Sequence, residues 1–529
     1  MRVRHSLQEL CIRYENGDRI LLENLIRAFR VIQSLPVNHE DSFFKIAGYH
    51  GEPFVREEPK NPDWWGGYCQ HQTVLFPTWH RAYVYRLENA LRNALPEAKD
   101  LAIPFWDECI SYGTDDAPIP WIVTAKQLLF PVDGKTDNPL CSYKLQQGLV
   151  DDHNLKDPHR YNKPVDYQTV RYPLSGLVGN AKDKKKTEDH NSQYQNHEGN
   201  TKILNNNIKQ WMDGTVEIKP DGNPKTKIPD TYSVFSRFQI CLQAENYTIF
   251  SNKASMGQWI EERHQKPYYG VSLEEPHNAI HLAVGGFYQE GEYNASPIPG
   301  ANGDMGENET AAFDPIFFLH HAFIDYTFWQ WQLRHKCTTA GSLTIEAGKK
   351  GTTSMGNPVF KKGTTLDTDS PLAPFKQPNN EFYTSKDVTD IEKQLDYTYG
   401  PGSLDLFRTQ GHYTLPADSG AHILHIYNIS RSDYSGSFVI RTSVDLPNGN
   451  TVEIGREAVL SRWNVAGCAN CQGHLNEDSF IAIDKDTMDI LKGGEQDLQN
   501  IKFKVEIQSR EVGGGWLGKP QHEPLVEFL

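Results

Sequence analysis

The sequence predicts an α+β protein of two domains, in which a mainly helical region is followed by a β-rich, sandwich-like region. Apolar residues recur with the spacing of one helix face before about residue 400, whereas short runs of β-forming residues separated by turn signals follow it. The chain has 529 residues, enough for two or more domains at roughly 100–200 residues each. We therefore predict a helical domain over residues 1–400 and a β-rich domain over residues 401–529.

Stripes of apolar residues predict the helices in chain order. The first stripe consists of Leu21, Leu22, Leu25, Ile26 and Phe29. Similar spacing predicts helices over 80–95, around 255–285 and from 314 to about 335. In the last of these, Asp314 is suited to cap the helix and Pro315 fits its first turn.

Residues 130–230 are polar and weakly periodic, and we interpret them as a solvated surface insertion. We do not expect its His190 and His197 to bind a metal. The β-rich region contains runs of β-forming residues at 422–426, 437–444, 451–454 and 501–507, with a tight turn predicted at 446–450.

Composition excludes several classes of partner. The net charge of −15 argues against binding of a nucleic-acid backbone, which needs patches of Lys and Arg. No stretch approaches 18 apolar residues, so we expect no membrane span. The N-terminus shows no apolar signal-peptide core, and Met1 favours a cytoplasmic location over a signal removed earlier. The eight cysteines are spread too thinly for a disulfide-stapled module.

Two groups of histidines lie before residue 300 in patterns typical of metal ligands. His50, His71 and His80 share an aromatic, apolar segment, in which a loop must carry His71 towards the helix that His80 opens. His277 and His281 have i, i+4 spacing, which places both rings on one face of a helix.

A third group is the pair His320 and His321. Consecutive residues on a helix point about 100° apart, so we expect at most one of the two to bind a metal. His321 shares a face with Phe317 and Asp325, and Asp325 is suited to accept the N–H of a ligand histidine or to anchor a nearby cation.

Two clusters of about three histidines predict a centre with imidazole ligands, which suits Cu, Zn or Fe. A zinc site of three histidines leaves the second cluster unexplained. Two facing three-histidine sites in a helical bundle fit a dinuclear copper centre better.

Two long segments carry a family resemblance. The first consists of His71, Phe76, Pro77, Thr78, Trp79, His80, Arg81, Val84 and Glu88, and the second of Asp314, Pro315, Phe317, Phe318, His321 and Asp325. They resemble the two copper-site signatures of tyrosinases and molluscan haemocyanins, and the resemblance covers roughly residues 40–335. It implies a four-helix bundle that holds two copper ions, one bound by His50, His71 and His80 and the other by His277, His281 and His321.

Further residues are similar to those of tyrosinases with a C-terminal domain. The resemblance implies a thioether between Cys69 and His71, with a reduced buried cysteine as the alternative. The segment 397–400 resembles the tyrosine–glycine motif that closes the catalytic domain, and the region after it resembles a lid over the copper site. Cys468 and Cys471 are similar to a copper-loading pair, although a disulfide or a zinc pair stays open. In one departure from the second signature, Tyr326 stands where the family has Arg, so the ion pairs of that Arg must be absent or replaced.

The resemblance implies three alternative activities for the centre: O2 transport, oxidation of catechols, or hydroxylation of monophenols followed by oxidation. Hydroxylation needs a base near the copper ions, because a phenol has a pKa near 10. Glu274 and Asn278 match the family's pair that orients a water as that base; for Glu274 the alternative is an acid favoured by the helix dipole.

We therefore predict a tyrosinase that acts with O2 on small phenols and catechols, with Phe317 in the substrate pocket. The alternatives are a catechol or o-aminophenol oxidase and a haemocyanin-like O2 carrier. The lid is expected to keep the enzyme latent, with Trp463 as a candidate plug, and a homo-oligomer stays open.

Overall fold

The computed structural model describes residues 1–52, 66–130, 133–150, 162–176, 181–214, 233–263, 269–286, 303–356, 359, 361–406, 422–434, 436–445, 451–483, 488, 501–509 and 521–529. Within these residues the helices are α1 (Leu7–Glu15), α2 (Ile20–Ser34), α3 (Phe43–Gly48), α4 (Phe76–Ala94), α5 (Trp121–Thr124), α6 (Ala181–Asn191), α7 (His197–Asp213), α8 (Val234–Cys241), α9 (Tyr247–Ser251), α10 (Lys253–Glu261), α11 (Glu274–Gly285), α12 (Ile316–His335) and α13 (Ile391–Gln394). The strands are β1 (Arg2–Arg4), β2 (Gln127–Phe130), β3 (Gly134–Asp137), β4 (Leu149–Val150), β5 (Asn162–Lys163), β6 (Pro371–Lys376), β7 (Phe382–Thr384), β8 (Tyr397–Tyr399), β9 (His422–Ser430), β10 (Phe438–Asp445), β11 (Thr451–Val459), β12 (Asn476–Ile483), β13 (Phe503–Gln508) and β14 (Leu525–Phe528).

The order of these elements confirms the predicted α+β fold of several domains: the longer helices precede residue 340, and the longer strands follow residue 420. The helix predicted around 255–285 is two helices, α10 and α11. The turn predicted at 446–450 lies outside the described residues. Among those that are described, no helix is both long and apolar enough to cross a membrane.

The helical region is built around α12, which is buried along most of its length. Helix α12 packs against α4, and α4 packs in turn against α2. Helix α11, also largely buried, packs against α7, α8 and β11. The histidine-bearing helices therefore lie in the interior, where their apolar neighbours exclude water.

The prediction that residues 130–230 form a solvated insertion is wrong for α7. Four apolar side chains of this helix are buried, namely those of Leu204, Ile208, Trp211 and Met212. Their spacing places them on one face, which packs against α11. Intervening Asn and Lys residues dilute this stripe in the sequence. His190 and His197 direct their Nε2 atoms to the backbone carbonyls of Pro173 and Thr124.

The C-terminal region consists of two three-stranded antiparallel sheets, ordered β11-β10-β13 and β12-β9-β14. Alternate side chains of both sheets share one apolar cluster, which includes Leu424, Ile426, Phe438, Ile440, Ile454 and Ile481. This arrangement agrees with the predicted sandwich-like region. The boundary at residue 400 stays a prediction.

The N-terminal strand β1 closes the helical region by pairing in parallel with β8, so that Arg4 lies beside Tyr399. The 397–400 motif is thus tied to the first residues of the chain.

Candidate metal centre

His50, His71 and His80, here called the first trio, come from three separate local structures. His50 follows α3, His71 lies in the loop before α4, and His80 is in the first turns of α4. The ring centroid of His71 lies 5.2 Å from that of His50 and 5.3 Å from that of His80. The loop therefore carries His71 to the helix, as its distance from His80 in the sequence requires.

His277, His281 and His321, the second trio, come from α11 and α12. The ring centroids of His277 and His281 are 4.6 Å apart, and that of His321 lies 5.0 Å from His277. The trios face each other, since the His80 and His321 centroids are 4.8 Å apart. The structure thus brings together all six histidines predicted from the sequence.

Backbone carbonyls fix the orientation of four of these rings through Nδ1. The pairs, at 2.8 to 3.2 Å, are His50 with Asn308, His80 with Phe76, His281 with Met305, and His321 with Phe317. A carbonyl oxygen only accepts, so each Nδ1 carries the proton and each Nε2 keeps a lone pair. In His277 the Oδ1 of Asn278 accepts from Nδ1 at 2.9 Å.

The Nε2 atoms point into the centre. Within the part of the chain that the structure describes, Nε2 is buried without a hydrogen-bond partner in His50, His71, His80, His281 and His320. The Nε2 atoms of His277 and His321 lie 3.1 Å from each other. So many buried acceptors without donors are rare in proteins, and bound metal ions would satisfy them. The donor set therefore fits the copper that the sequence predicts.

Burial keeps these imidazoles in the neutral form that can bind a metal. It lowers the pKa of His80 to about 3 and that of His281 to about 4. For His50, His71, His277 and His321, burial and then the neighbouring histidines hold the pKa well below its usual value.

His320 lies closer to the centre than its sequence position suggests. Its ring stacks on that of His277 with centroids 5.2 Å apart, and it offers a ligand nitrogen within 4.8 Å of those of the second trio. Its Nδ1 lies 2.5 Å from Oε1 of Glu108, and both side chains are fully buried. Sequence reasoning missed Glu108, because a sequence separation of 212 between the partners leaves no local pattern. That only one of His320 and His321 binds metal stays a prediction.

Cys69 lies beside the first trio. Its Sγ is within 4.8 Å of ligand nitrogens of His50 and His71, and the thiol is free and buried. Burial raises the pKa of Cys69 to about 11. The cross-link between Cys69 and His71 stays a prediction.

Aromatic rings close around the imidazoles. Phe317 stacks on His321 with centroids 3.8 Å apart and lies 4.9 Å from His50. Phe76 lies 4.6 Å from His80 and 4.9 Å from His277. These rings make the surroundings of the centre apolar.

Glu274 and Asn278 are one turn apart on the first half of α11. The Glu274 carboxylate accepts the backbone N–H of Gln72 at 2.9 and 3.1 Å and that of Lys253 at 3.2 Å. Burial raises the pKa of Glu274 to about 7, although these N–H donors oppose the rise. Asn278 is also buried, and its Oδ1 is engaged by His277.

Arginines from two other segments of the chain hold Asp325, the residue before Tyr326. Asp325 lies 2.5 Å from Nε of Arg81 and 3.0 Å from Nη1 of Arg4. Asp325 therefore anchors cations, which is one of its two predicted roles. Tyr326 instead donates to Oδ1 of Asp405 at 2.9 Å.

Residues of the C-terminal region contact the segments that carry His50 and His71. Nδ2 of Asn470 donates to the backbone carbonyl of His71 at 3.0 Å. Arg462 donates to the carbonyl of Gly66 at 2.8 Å and pairs with Glu52 at 3.1 Å. These contacts cover the loop that carries His71.

Two further predictions for the C-terminal region concern the Cys468 and Cys471 pair and Trp463. Cys468 and Cys471 form a disulfide with Cα atoms 5.2 Å apart, which was one of the alternatives open from the sequence. Trp463 is buried, and its backbone N–H donates to Glu309. The plug role of Trp463 and copper loading by the two cysteines stay predictions.

Comparison with known proteins gives concordant results. A family model described as the common central domain of tyrosinase matches residues 40–334. The tyrosinase HcTyr2 of Hahella sp. is 42% identical over 513 residues, covering 94% of this chain and 90% of that protein. The tyrosinase of Aspergillus oryzae is 39% identical, covering 93% and 92%. The structure of tyrosinase from Burkholderia thailandensis at low pH superposes with a TM-score of 0.81 at 39% identity and covers 100% of both chains.

Proposed function

This chain belongs to the tyrosinase family of copper-dependent oxidoreductases, and on that premise we propose that it uses O2 to hydroxylate monophenols at the ortho position and to oxidise o-diphenols to o-quinones. The observation that supports this most strongly is the convergence of two facing trios, in which, among the described residues, the Nε2 atoms of His50, His71, His80 and His281 have no hydrogen-bond partner and those of His277 and His321 meet each other at 3.1 Å. His50, His71 and His80 would hold one copper ion, and His277, His281 and His321 the other. Bound copper would supply the binding of O2 and the transfer of electrons.

The residues around the trios would orient the phenol and exclude water. Phe317, which stacks on His321, offers a ring face against which an aromatic substrate packs. Phe76 and Trp79 pack on His80 with centroids 4.6 and 4.8 Å away and shield it from solvent. A dry site strengthens each electrostatic contact with the substrate.

Glu274 and Asn278 would remove the phenolic proton through a water molecule. Oδ1 of Asn278 accepts from His277, which leaves Nδ2 to donate to the water. The water would donate one hydrogen to Glu274 and accept the phenol proton on its free lone pair. With a pKa of about 7, Glu274 is suited to exchange protons near neutral pH.

The C-terminal region would keep the enzyme latent. Asn470 and Arg462 contact the His71 loop and its surroundings, so a substrate would reach the centre only after these contacts open. Cleavage near residue 400 is therefore expected to raise activity. Equal activity with and without residues 401–529 would exclude latency.

The decisive experiment compares copper-loaded protein on tyramine and on L-DOPA, before and after removal of the C-terminal region. Glu274→Gln is expected to lower monophenol hydroxylation about 10²-fold, with diphenol oxidation changed less than about threefold. Glu275→Gln is the matched control, because Glu275 is the adjacent, half-buried carboxylate and its Oε2 accepts instead from Ser272.

Three results would contradict parts of the proposal. An equal loss on both substrates would remove Glu274 from the role of base. Activity on L-DOPA alone would identify a catechol oxidase. Reversible O2 uptake without turnover, even after removal of the C-terminal region, would identify a carrier.

A further inference from the structure

His425 lies far in the sequence from the histidine trios, on the face of the β12-β9-β14 sheet that is turned towards α10. In this sheet His425 is paired with Phe480 of β12 and with Glu527 of β14. Directly paired residues project from the same face, so Glu527 lies beside the imidazole. The Phe480 ring stacks on that of His425 with centroids 4.5 Å apart and holds it in place.

Asp478 joins His425 on this face, because it precedes Phe480 by two residues and side chains alternate along a strand. The register shifts between Glu477 and Ser479, where two residues of β9 oppose Asp478. One of them, Asn428, has a φ of 60°. Such a bulge redirects the side chains near it. Oδ1 of Asp478 lies 3.1 Å from Nε2 of His425.

A third carboxylate comes from the helical region. Helix α10 packs against β12, and at Gly257 even a Cβ atom would lie 3.2 Å from the Phe480 ring, so α10 comes close to the sheet. Glu261 follows one turn later on the same helix face. Its Oε1 lies 4.0 Å from Nε2 of His425, while its Oε2 pairs with Lys350 at 3.3 Å.

The two ring nitrogens of His425 have different surroundings. Nδ1 lies 3.1 Å from Oε1 of Glu527, which can accept its proton. Without a metal ion, Nε2 donates a proton to Oδ1 of Asp478 at 3.1 Å. A cation would displace this proton and meet Nε2 together with the oxygens of Asp478 and Glu261. A carboxylate behind the imidazole and two carboxylate oxygens in front form an arrangement that recurs at protein metal sites.

We propose that His425, Asp478 and Glu261 form a binding site for a divalent transition-metal ion, separate from the copper pair, with Glu527 orienting the imidazole. One nitrogen and two oxygens are a ligand set that Zn²⁺ accepts, with water in the fourth position. In a tetrahedral site, ligand atoms are about 3.3 Å apart. The distance of 3.1 Å from Nε2 to Asp478 is close to this spacing, whereas that of 4.0 Å to Glu261 is longer, so the partly exposed Glu261 side chain would move inward to bind.

The site is reachable from solvent and joins two parts of the molecule. The side chain of His425 is 7% exposed, whereas those of Asp478 and Glu261 are 32% and 33% exposed. A bound ion would link α10 of the helical region to β9 and β12 of the C-terminal sheet. It would therefore stabilise the closed arrangement by mass action.

The test uses copper-loaded, full-length protein dialysed against Zn²⁺ at about pH 8, above the ordinary pKa of an imidazole. An alkaline pH is needed because, although burial opposes the charged form, the hydrogen bonds to Asp478 and Glu527 raise the pKa of His425. Zinc and copper are then measured in the same sample by elemental analysis, and affinity by calorimetry. We expect about one zinc per chain without loss of copper. His425→Gln and Asp478→Asn should each weaken binding at least about tenfold, and Glu527→Gln about 10- to 100-fold.

His522→Gln is the matched control, because Nδ1 of His522 pairs with a single carboxylate, Asp433, at 2.8 Å. This variant should bind zinc as the wild type does. If His425→Gln does not fold, Asp478→Asn and Glu261→Gln provide the test, since both side chains are partly exposed. The proposal is overturned by zinc that enters only as copper leaves, by no zinc binding at about 1 mM, or by unchanged affinity in Asp478→Asn.

Discussion

Two of the buried charge networks in the described part of the chain differ in what they join: one lies inside the helical region, and one lies between that region and the C-terminal sheets. In the inner network, Asp325 of α12 accepts from Arg81 of α4 and Arg4 of β1, and from the hydroxyls of Tyr397 and Tyr399 at 2.6 Å each. These cations and hydroxyls hold the pKa of Asp325 below its usual range despite burial. The negative charge of the buried Asp325 is therefore balanced by the two arginines and the two hydroxyl donors.

The interface network has the same chemistry but joins different parts of the chain. Glu457 of β11 lies 2.8 Å from Arg237 of α8 and 2.7 Å from Lys253 of α10. Glu477 of β12 lies 3.2 Å from Lys253 and 2.6 Å from Nε2 of Gln72, the residue after His71. Like the inner network, it is buried. The comparison shows that similar ion pairs can stabilise the fold itself or only the closed position of a region, depending on what they join.

The largest effect is expected from Asp325→Asn in the inner network. The change leaves Arg81 and Arg4 buried without their full counter-charge, which costs about 3–5 kcal/mol of the free energy of unfolding. Urea unfolding of the copper-loaded protein, followed by tryptophan fluorescence, measures this cost. Asp396→Asn is the control, because Asp396 pairs with Arg2 but is largely exposed. Equal stability of the two variants would contradict the role given to the inner network.

A smaller effect, on activity rather than on folding, is expected from Glu457→Gln at the interface. In the closed protein this change removes the Glu457 counter-charge from Arg237 and one of the two carboxylates from Lys253, which keeps Glu477, so opening becomes easier. Activity on L-DOPA before proteolysis should rise about tenfold towards the value after proteolysis. Asp445→Asn is the control, since its ion pair with Lys504 is exposed and lies within the C-terminal sheets. If Glu457→Gln lowered the free energy of unfolding as much as Asp325→Asn does, the two networks would not differ in their roles.

The smallest expected effect is a dependence of protein stability on pH that Glu309 causes. Glu309 faces Arg462 at the interface. Burial raises the pKa of Glu309 above its ordinary value of 4.5, and the neighbouring Glu307 adds to the rise. Above about pH 4.5 the closed protein keeps a proton that the unfolded chain releases, so this residue costs stability as the pH rises.

Glu309→Gln removes that cost. The Tm of the wild type relative to the variant should therefore fall by a few degrees between about pH 5 and pH 7.5. Glu262→Gln, at an exposed carboxylate that pairs with Lys349, should show no such trend. A difference in Tm that stays constant with pH would exclude this role of Glu309.

The sequence predicts those features of the site that depend on residues close together in the chain, and it misses contacts between distant residues. The i, i+4 spacing of His277 and His281 predicts by itself that they share one helix face, whereas the two trios follow from the family resemblance. Glu108 beside His320, Arg4 beside Asp325 and Asn470 above His71 were not predicted, because each pair is separated by more than 200 residues. Helix α7 was missed because polar residues interrupt its buried stripe.

The sequence by itself determined the α+β class through helical periodicity and runs of β-forming residues, which are properties of neighbouring residues. Its local motifs also carried the resemblance to tyrosinases, and that resemblance implied the six histidines. Only the tertiary structure decided which cations compensate Asp325, which residues cover the His71 loop and which carboxylates surround His425. Those partners meet because packing of apolar faces brings distant segments together, and burial then requires each charge to find a counter-charge. The fold determines which counter-charge each buried charge meets, and no local sequence pattern indicates that partner.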